Sequence, residues 1–382
     1  MSSAPIKILF LIDYFHRTGG TEKHLVQLIA GLPAEQFRCS VVAFDMGRNL
    51  LLEELRARGV AVIHLPVGRE YVPNGMRQAV RLWRLMRRER YDIVQTYHQK
   101  ADSYGALLAR LAGVPVLISS KRDTGELRNP LHVFVNRRLR GLFDAFIMVA
   151  EGVREAVARR DGLPATRVCT IYNGVDTGRF TPADAARKAA ARRALGIPDT
   201  DLVVGMVAGF RPEKNHEVFF EAMERVALQV PNLRVVPVGG GPLLEQYRHS
   251  VAASPLATRT TFTGDVTDVL PVLHALDIGC LTSGSNEGFS NALIEQMAVG
   301  LPLVVTEVGG NAEAVVDGVT GFVVRPHDAA AVAGATLRLA TDPVLRADRA
   351  SAARTRAEDR FSLERMWREH AALYLRLAHP HA

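Results

Sequence analysis

The feature that most limits the fold is an alternation along nearly the whole chain: short runs of consecutive apolar residues, each followed by a longer stretch of helical composition. In the first half the runs fall at 6–12, 39–44, 60–65, 93–97, 116–119 and 146–149, and in the second at 203–209, 233–238, 261–262, 278–281, 303–306 and 321–324. A strand that is apolar at every position, not at every second one, is covered on both faces, as in a parallel sheet with crossover helices above and below it. The pattern predicts an α/β chain of two doubly wound parallel sheets. Between the halves, 177–201 carries Pro182, Pro198 and an Ala- and Arg-rich stretch, which predicts a linker and a short helix. We place the boundary near Phe180, giving domains at 1–179 and 180–360. At 382 residues each half is long enough to bury a core of its own.

Composition removes several classes. The apolar run 6–12 is too short to span a bilayer and lacks a small-residue cleavage pattern after it, so it reads as a first buried strand. Cys39, Cys169 and Cys280 are scattered without a C-x-x-C pair, which fits reduced core thiols in a cytoplasmic protein better than a disulfide frame or a zinc site. The net charge of +7 is uneven: residues 1–180 hold 27 basic against 17 acidic side chains, a balance of +10, and the remainder is acidic. Much of that basicity lies in one segment, where Arg77, Arg81, Arg84, Arg87, Arg88 and Arg90 punctuate Leu82, Trp83, Leu85 and Met86 at helical spacing. One reading is a helix packed on the sheet with snorkelling arginines. The other is a helix lying peripherally on an anionic membrane surface. Nucleic-acid binding has no reader motif or aromatic stacking array behind it and is not expected.

The chemistry concentrates in the second half. Glu287 and Glu295 stand eight positions apart, the first in a strand-to-helix loop and the second on the helix. The helical part of that interval spans roughly 8 Å, comparable with the reach from a donor sugar past a diphosphate to a ribose. Carboxylates repel a diphosphate, so their partners are neutral hydroxyls, one set at each end. The amides of Gly288, Phe289 and Ser290 lie at the helix N-terminus, which favours phosphate. Cations come from the loop after the strand at 203–209: Arg211 can fork two oxygens and Lys214 acts as a point charge. Asp199-Thr200-Asp201 has a D-x-D spacing but no supporting cluster, so it reads as turn chemistry and no metal is predicted. Gly19 and Gly20 follow the first strand, either as a plain turn or as a place for close backbone approach to a ligand. His98 ends a strand and stays open between a structural hydrogen-bonder and a functional group. The segment 119–126 reads first as a solvated loop and second as an acceptor contact.

These residues resemble those of retaining glycosyltransferases of family 4, with the GT-B architecture of two Rossmann-like domains facing across a cleft. The resemblance rests on five motifs in order: Thr18-Gly19-Gly20-Thr21-Glu22, Asn173-Gly174-Val175-Asp176, the Arg211 and Lys214 loop, the Glu287 and Glu295 segment, and Gly309-Gly310-Asn311-Ala312-Glu313. It implies a nucleoside-diphosphate sugar bound mostly by the second domain, a glycan or lipid-linked acceptor on the first, and no cofactor or metal. Glu287 would hold the donor sugar, Glu295 the ribose, and Arg211 with Lys214 the departing diphosphate. The resemblance also puts a histidine in the region of His98 near the reacting sugar. The loops 239–242 and 264–266, with Val266, would border the base, although the triple glycine lacks the polar middle residue often found there. Gly309, Gly310 and Glu313 would support the donor helix, and a C-terminal tail, here 361–382, crosses back onto the first domain. Two rivals share the architecture: a sugar-nucleotide epimerase and a non-catalytic sugar-nucleotide-binding protein.

Overall fold

The computed structural model describes residues 4–15, 19–47, 49–68, 73–125 and 130–379, so Thr18 and Glu126 of the motifs above lie outside the described residues. The chain forms two compact units, Met1–Gly174 with Leu363–Ala382, and Val175–Ser362.

The first unit is built on β1 (Ile6–Phe15), β2 (Phe37–Met46), β3 (Ala61–His64), β4 (Ile93–Tyr97), β5 (Val116–Lys121), β6 (Ala145–Met148) and β7 (Val168–Thr170). They form one sheet in the order β3-β2-β1-β4-β5-β6-β7, with every pairing parallel. Strands β4, β5 and β6 are buried at every position, which is why their sequences show no alternation of apolar and polar residues, and the polar ones they carry, such as Gln95, Thr96 and Ser119, are buried too. Two expectations need correction here. The first strand does not end at residue 12 but continues to Phe15, because Tyr14 and Phe15 still pair with Asp45 and Met46. Where β4 has already stopped, the Asp13 carboxylate accepts from the amides of Lys100 (2.8 Å) and Ala101 (2.7 Å). Likewise Ser119, Ser120 and Lys121 are buried residues of β5 and not a solvated loop, because Asp102 draws Ser119 and Lys121 inward.

The C-terminal helix Leu363–Ala378 belongs to this unit and completes its core. Met366, Leu373 and Tyr374 pack among Ile8, Phe10, Leu25, Leu28 and Phe37. Burying Met366 and Leu373 alone stabilises the unit by roughly 3–6 kcal/mol. The Tyr374 hydroxyl donates to Gln95 Oε1 at 2.7 Å and the Trp367 indole to the Gln27 carbonyl at 2.8 Å, so both polar tips are satisfied. A Cβ on Gly31 would lie 1.9 Å from the Trp367 ring, so only glycine admits the indole there.

The second unit carries β8 (Leu202–Val207), β9 (Leu233–Val238), β10 (Ile278–Leu281), β11 (Leu303–Thr306) and β12 (Gly321–Val324), in the order β12-β11-β10-β8-β9. Its pairings are parallel as well. The linker helix, Ala185–Ala194, is capped by the Asp184 carboxylate, which accepts from Arg187 N at 2.7 Å. The strand expected at 261–262 is absent. Only an isolated bridge joins Val235 to Thr260, although Val235 N donates to Arg259 O and Thr261 N to Val235 O. Thr263 N still donates to Pro237 O at 3.3 Å, but Pro237 has no N–H to return a bond, so the ladder is broken there.

In each sheet the chain reverses its direction of winding once, between β1 and β4 in the first and between β8 and β10 in the second. Ligands of open α/β sheets bind outside the carboxyl ends of the strands at such reversals.

Candidate functional site

At the β8/β10 reversal two loops are stitched together. The loop after β8 holds Arg211 as the cap of a short 3-10 helix, Pro212–Lys214. The loop after β10 runs from Thr282 to Ser290. Gly284 N donates to Glu213 O at 2.9 Å and Thr282 Oγ1 to Asn215 O at 3.1 Å, fixing one loop on the other. The result is a contact between residues 73 positions apart: Lys214 Nζ lies 2.5 Å from Glu287 Oε2, and Ser283 Oγ donates to that same oxygen at 2.7 Å. Glu287 is 8 % exposed, so the pair sits where charge is poorly screened and its geometry is firmly held. Arg211 differs. Its side chain is exposed, its Nε lies 3.8 Å from where a Cβ on Gly209 would be, and it makes no ion pair or side-chain hydrogen bond with another described residue. Behind the loop, buried His216 stacks on Phe210 at 4.0 Å, and burial pushes its imidazole down to about 4, so it is a neutral spacer at physiological pH.

Gly288 and Phe289 lead to Ser290, the N-terminal cap of the helix Asn291–Ala298. Phe289 turns its ring into the core against Phe361, 5.1 Å away, which leaves its backbone as the part nearest the helix end. The loop is supported from β11: Gly310 N donates to Gly288 O at 2.7 Å, and Gly309 has φ of 55° with Glu287 O only 2.0 Å from where its Cβ would sit. Only glycine satisfies both the backbone angle and that approach. Glu295 is half-buried in a run whose neighbours Ile294 and Gln296 are fully buried. The glycine loop after β9 closes on the same edge, with Gly240 N donating to Asp265 Oδ1 at 2.8 Å and Gly239 N to Gly264 O at 3.0 Å. Val266 follows, half-buried.

Sequence reasoning missed four residues here: Ser283, Asn215, Asn286 and His327. Asn215, Asn286 and His327 all hold left-handed backbone, with φ of 51°, 48° and 62°, and Asn215 Nδ2 lies 3.1 Å from His327 Nδ1. Strained non-glycine backbone of this kind gathers at functional sites. A signal was present, since asparagine is the residue that tolerates this region and one directly follows Lys214 while another directly precedes Glu287.

In the first unit, Gly19 caps the helix Gly20–Gly31 with an extended backbone, and what fills the space beside it is the Glu22 carboxylate, 2.5 Å from where a Cβ would be. His98, at the end of β4, has φ of 71° and stacks on Tyr14 with ring centres 4.4 Å apart. Behind it lies a buried cluster: Asp102 accepts from Thr96 (2.6 Å), Ser119 (2.7 Å) and Lys121 Nζ (2.6 Å). Burial pushes Asp13 up to about 7, against the two amides it accepts from. Arg122, its guanidinium pushed down to about 10 by burial, donates to Asn173 Oδ1.

In the D-x-D stretch the Asp199 backbone carbonyl accepts from Arg192 (2.6 Å) and the Asp201 carboxylate from Arg234 (2.7 Å). Among the described residues no group of three or more His, Cys, Asp or Glu is arranged to hold a metal ion, and no helix is long and apolar enough to cross a membrane.

Comparison with known proteins agrees with this geometry. Residues 18–179 match the family described as Glycosyltransferase Family 4, and residues 187–356 the one described as Glycosyl transferases group 1. The GDP-mannose-dependent alpha-(1-6)-phosphatidylinositol monomannoside mannosyltransferase of Mycobacterium tuberculosis is 30% identical over 88% of this chain and 89% of its own. The UDP-Gal:alpha-D-GlcNAc-diphosphoundecaprenol alpha-1,3-galactosyltransferase of Escherichia coli is 27% identical over 85% of this chain and 86% of its own. Among solved structures, Anabaena HepE in complex with UDP-glucose superposes with a TM-score of 0.82 at 24% identity, covering 96% of this chain and 99% of that one. At that identity the likeness establishes the fold: two parallel-sheet α/β domains of the GT-B type.

Proposed function

Since this chain belongs to glycosyltransferase family 4, we propose that it moves a sugar from a nucleoside-diphosphate donor to a glycan or lipid-linked acceptor in polysaccharide or glycolipid assembly, with retention at the anomeric carbon and without a metal ion. The observation that carries this reading is the Lys214, Glu287 and Ser283 cluster beside exposed Arg211 at the β8/β10 reversal. Two cations at the carboxyl edge, Lys214 held by Glu287 and Arg211 open to a ligand, supply the positive charge that a departing diphosphate needs. The amides of Gly288, Phe289 and Ser290 add the positive end of a helix. The two carboxylate oxygens of Glu287 act separately, with Oε2 holding Lys214 in place and Oε1 left for a donor hydroxyl. With Oε2 engaged by an ammonium and a hydroxyl and Oε1 taken up by a donor hydroxyl, neither oxygen is left to attack the anomeric carbon, which favours same-face attack, with the leaving phosphate taking the acceptor proton, over a covalent intermediate on Glu287. Glu295 takes the ribose, and Val266 with the glycine loop 239–241 borders the base. Gly19, Gly20 and His98 serve the first unit's share of the reaction, His98 near the reacting sugar. The names of the two relatives specify GDP-mannose and UDP-galactose donors and lipid acceptors, which supports the donor and acceptor classes proposed here. Three free thiols, with burial pushing Cys39 and Cys280 up to about 12, suit a reducing cytoplasm.

The test is turnover with a panel of UDP- and GDP-sugars and lipid-linked acceptors. Arg211→Ala with Lys214→Ala is expected to cost at least 10²–10³ in kcat, roughly the loss on removing an electrostatic catalyst, far more than it costs in folding stability. A well-folded double variant that turns over normally overturns the assignment. So does wild-type protein that epimerises a donor in the absence of acceptor.

A further inference from the structure

The helix Pro73–Glu89 has two apolar sides, and one of them faces solvent. On the inner side Gln78, Leu82 and Met86 are buried. Tyr104 Oη fastens the helix through Gly75 O at 2.7 Å, and Asn74 Nδ2 through Pro66 O at 3.2 Å. On the outer side Met76, Val80 and Trp83, spaced i, i+4, i+7, fall in one row and are 65, 45 and 37 % exposed. Directly beside that row, at helical spacing, run Arg77, Arg81, Arg84 and Arg88, all exposed. Arg87 places its guanidinium 6.0 Å from the centre of the Trp83 ring. The Trp83 indole donates to Leu111 O at 3.3 Å, which joins the row to Leu107 and Leu111, 48 and 64 % exposed, on the helix Ala106–Leu111. No acidic residue occurs from 73 to 88; the first, Glu89, is paired with Arg88.

A helix that only covers its sheet needs one apolar face. The second face costs solubility and gives nothing to the fold, so its occupant lies outside the unit. An apolar row alone fits a protein partner. An apolar row with an indole, bordered along its length by arginines and no carboxylate, fits a surface that is anionic on top and hydrocarbon beneath. We propose that this face seats the chain on an anionic lipid surface, with Met76, Val80, Trp83, Leu107 and Leu111 entering the boundary between headgroups and acyl chains and the arginines meeting lipid phosphates. It is independent of the transferase reading, because vesicle binding requires neither donor nor turnover.

The experiment is co-sedimentation of the full chain with vesicles of phosphatidylcholine alone or mixed with an equal amount of phosphatidylglycerol, at low and high salt. Pelleting is expected only with the mixed vesicles, and weakening with salt. Replacing Arg77, Arg84 and Arg88 by Gln lowers partitioning on the order of a hundredfold. Val80→Ser with Trp83→Ser lowers it about tenfold. Circular dichroism stays unchanged in both; the thermal midpoint stays unchanged in the arginine variant, whose replaced groups are exposed, and falls slightly in the other, which loses the Trp83 bond to Leu111 O. Absence of pelleting with mixed vesicles, or undiminished pelleting of the arginine variant, overturns the proposal. It is equally overturned if light scattering shows a dimer that Val80→Ser with Trp83→Ser dissociates, because a second copy then covers the row.

Discussion

The two sheets end in the same kind of crevice and fill it in opposite ways. At the carboxyl edge of the second sheet, one cation, Lys214, is partly exposed and held by the buried Glu287 carboxylate, and another, Arg211, is exposed without a partner among the described residues. At the corresponding edge of the first sheet, Asp102 and Lys121 are 3 and 4 % exposed and spend their charge on each other and on neighbouring hydroxyls. A buried ion pair that is fully hydrogen-bonded adds rigidity and little net stability, but losing one partner is severe. A pair whose cation still reaches solvent, as Lys214 does beside buried Glu287, can act on a ligand. Similar residue types at the carboxyl edges of the two sheets therefore serve shape in one unit and chemistry in the other.

That contrast is open to direct attack. The largest expected effect is from Asp102→Ala, which strands the Lys121 ammonium in the core; urea unfolding should show a loss of about 3–5 kcal/mol. A loss below about 1 kcal/mol would mean the first-sheet pair is not structural. Gly309→Ala should cost about 2 kcal/mol, from a left-handed backbone and a Cβ pressed on Glu287 O, and it should lower kcat as well because the Glu287 loop must shift. Stability unchanged after this substitution would detach the β11 turn from the site. Next is pH. Burial pushes His370 down to about 4 and also lowers His24, whose ring lies 5.5 Å from it, with Arg122 and Tyr97 facing the pair. A depressed folded pKa means the neutral form is favoured, so the stability is present above the unfolded value of about 6.5 and is lost as pH falls toward 4. Between pH 7 and pH 5 the His370 share of this loss is about 2 kcal/mol, and His370→Gln should remove it from the pH dependence of the urea midpoint. The smallest effect belongs to Ser283→Ala, about 1 kcal/mol for one hydrogen bond, visible more in kcat than in stability because it loosens the carboxylate that holds Lys214.

What could be read in the sequence follows the range of the forces involved. Buried parallel strands announce themselves in a few adjacent residues, so β4, β8, β10, β11 and β12 were legible to within a residue or two. The segment 261–262, a threonine and a phenylalanine, also has strand-like residue types, but whether it pairs depends on Pro237 in another strand. The end of β1 depended on Asp13 meeting amides 87 and 88 positions away. The site divides the same way. Arg211, Lys214, Glu287 and Glu295 stood out by type and spacing, whereas the closure of Lys214 on Glu287 is a contact across 73 positions that no local pattern encodes. Ser283 carries no mark of its own, and only the asparagines beside Lys214 and Glu287 hinted at strained backbone.

The return of the last helix to the first unit has a consequence for how the chain comes into being. A ribosome delivers residues in order, so the pocket that Met366, Leu373 and Tyr374 fill stays open until Leu363–Ala378 emerges. By then the whole of Val175–Ser362 has emerged and is free to fold on its own core. The half translated first is thus the half finished last, and its exposed apolar groove is what a chaperone would meet on the nascent polypeptide.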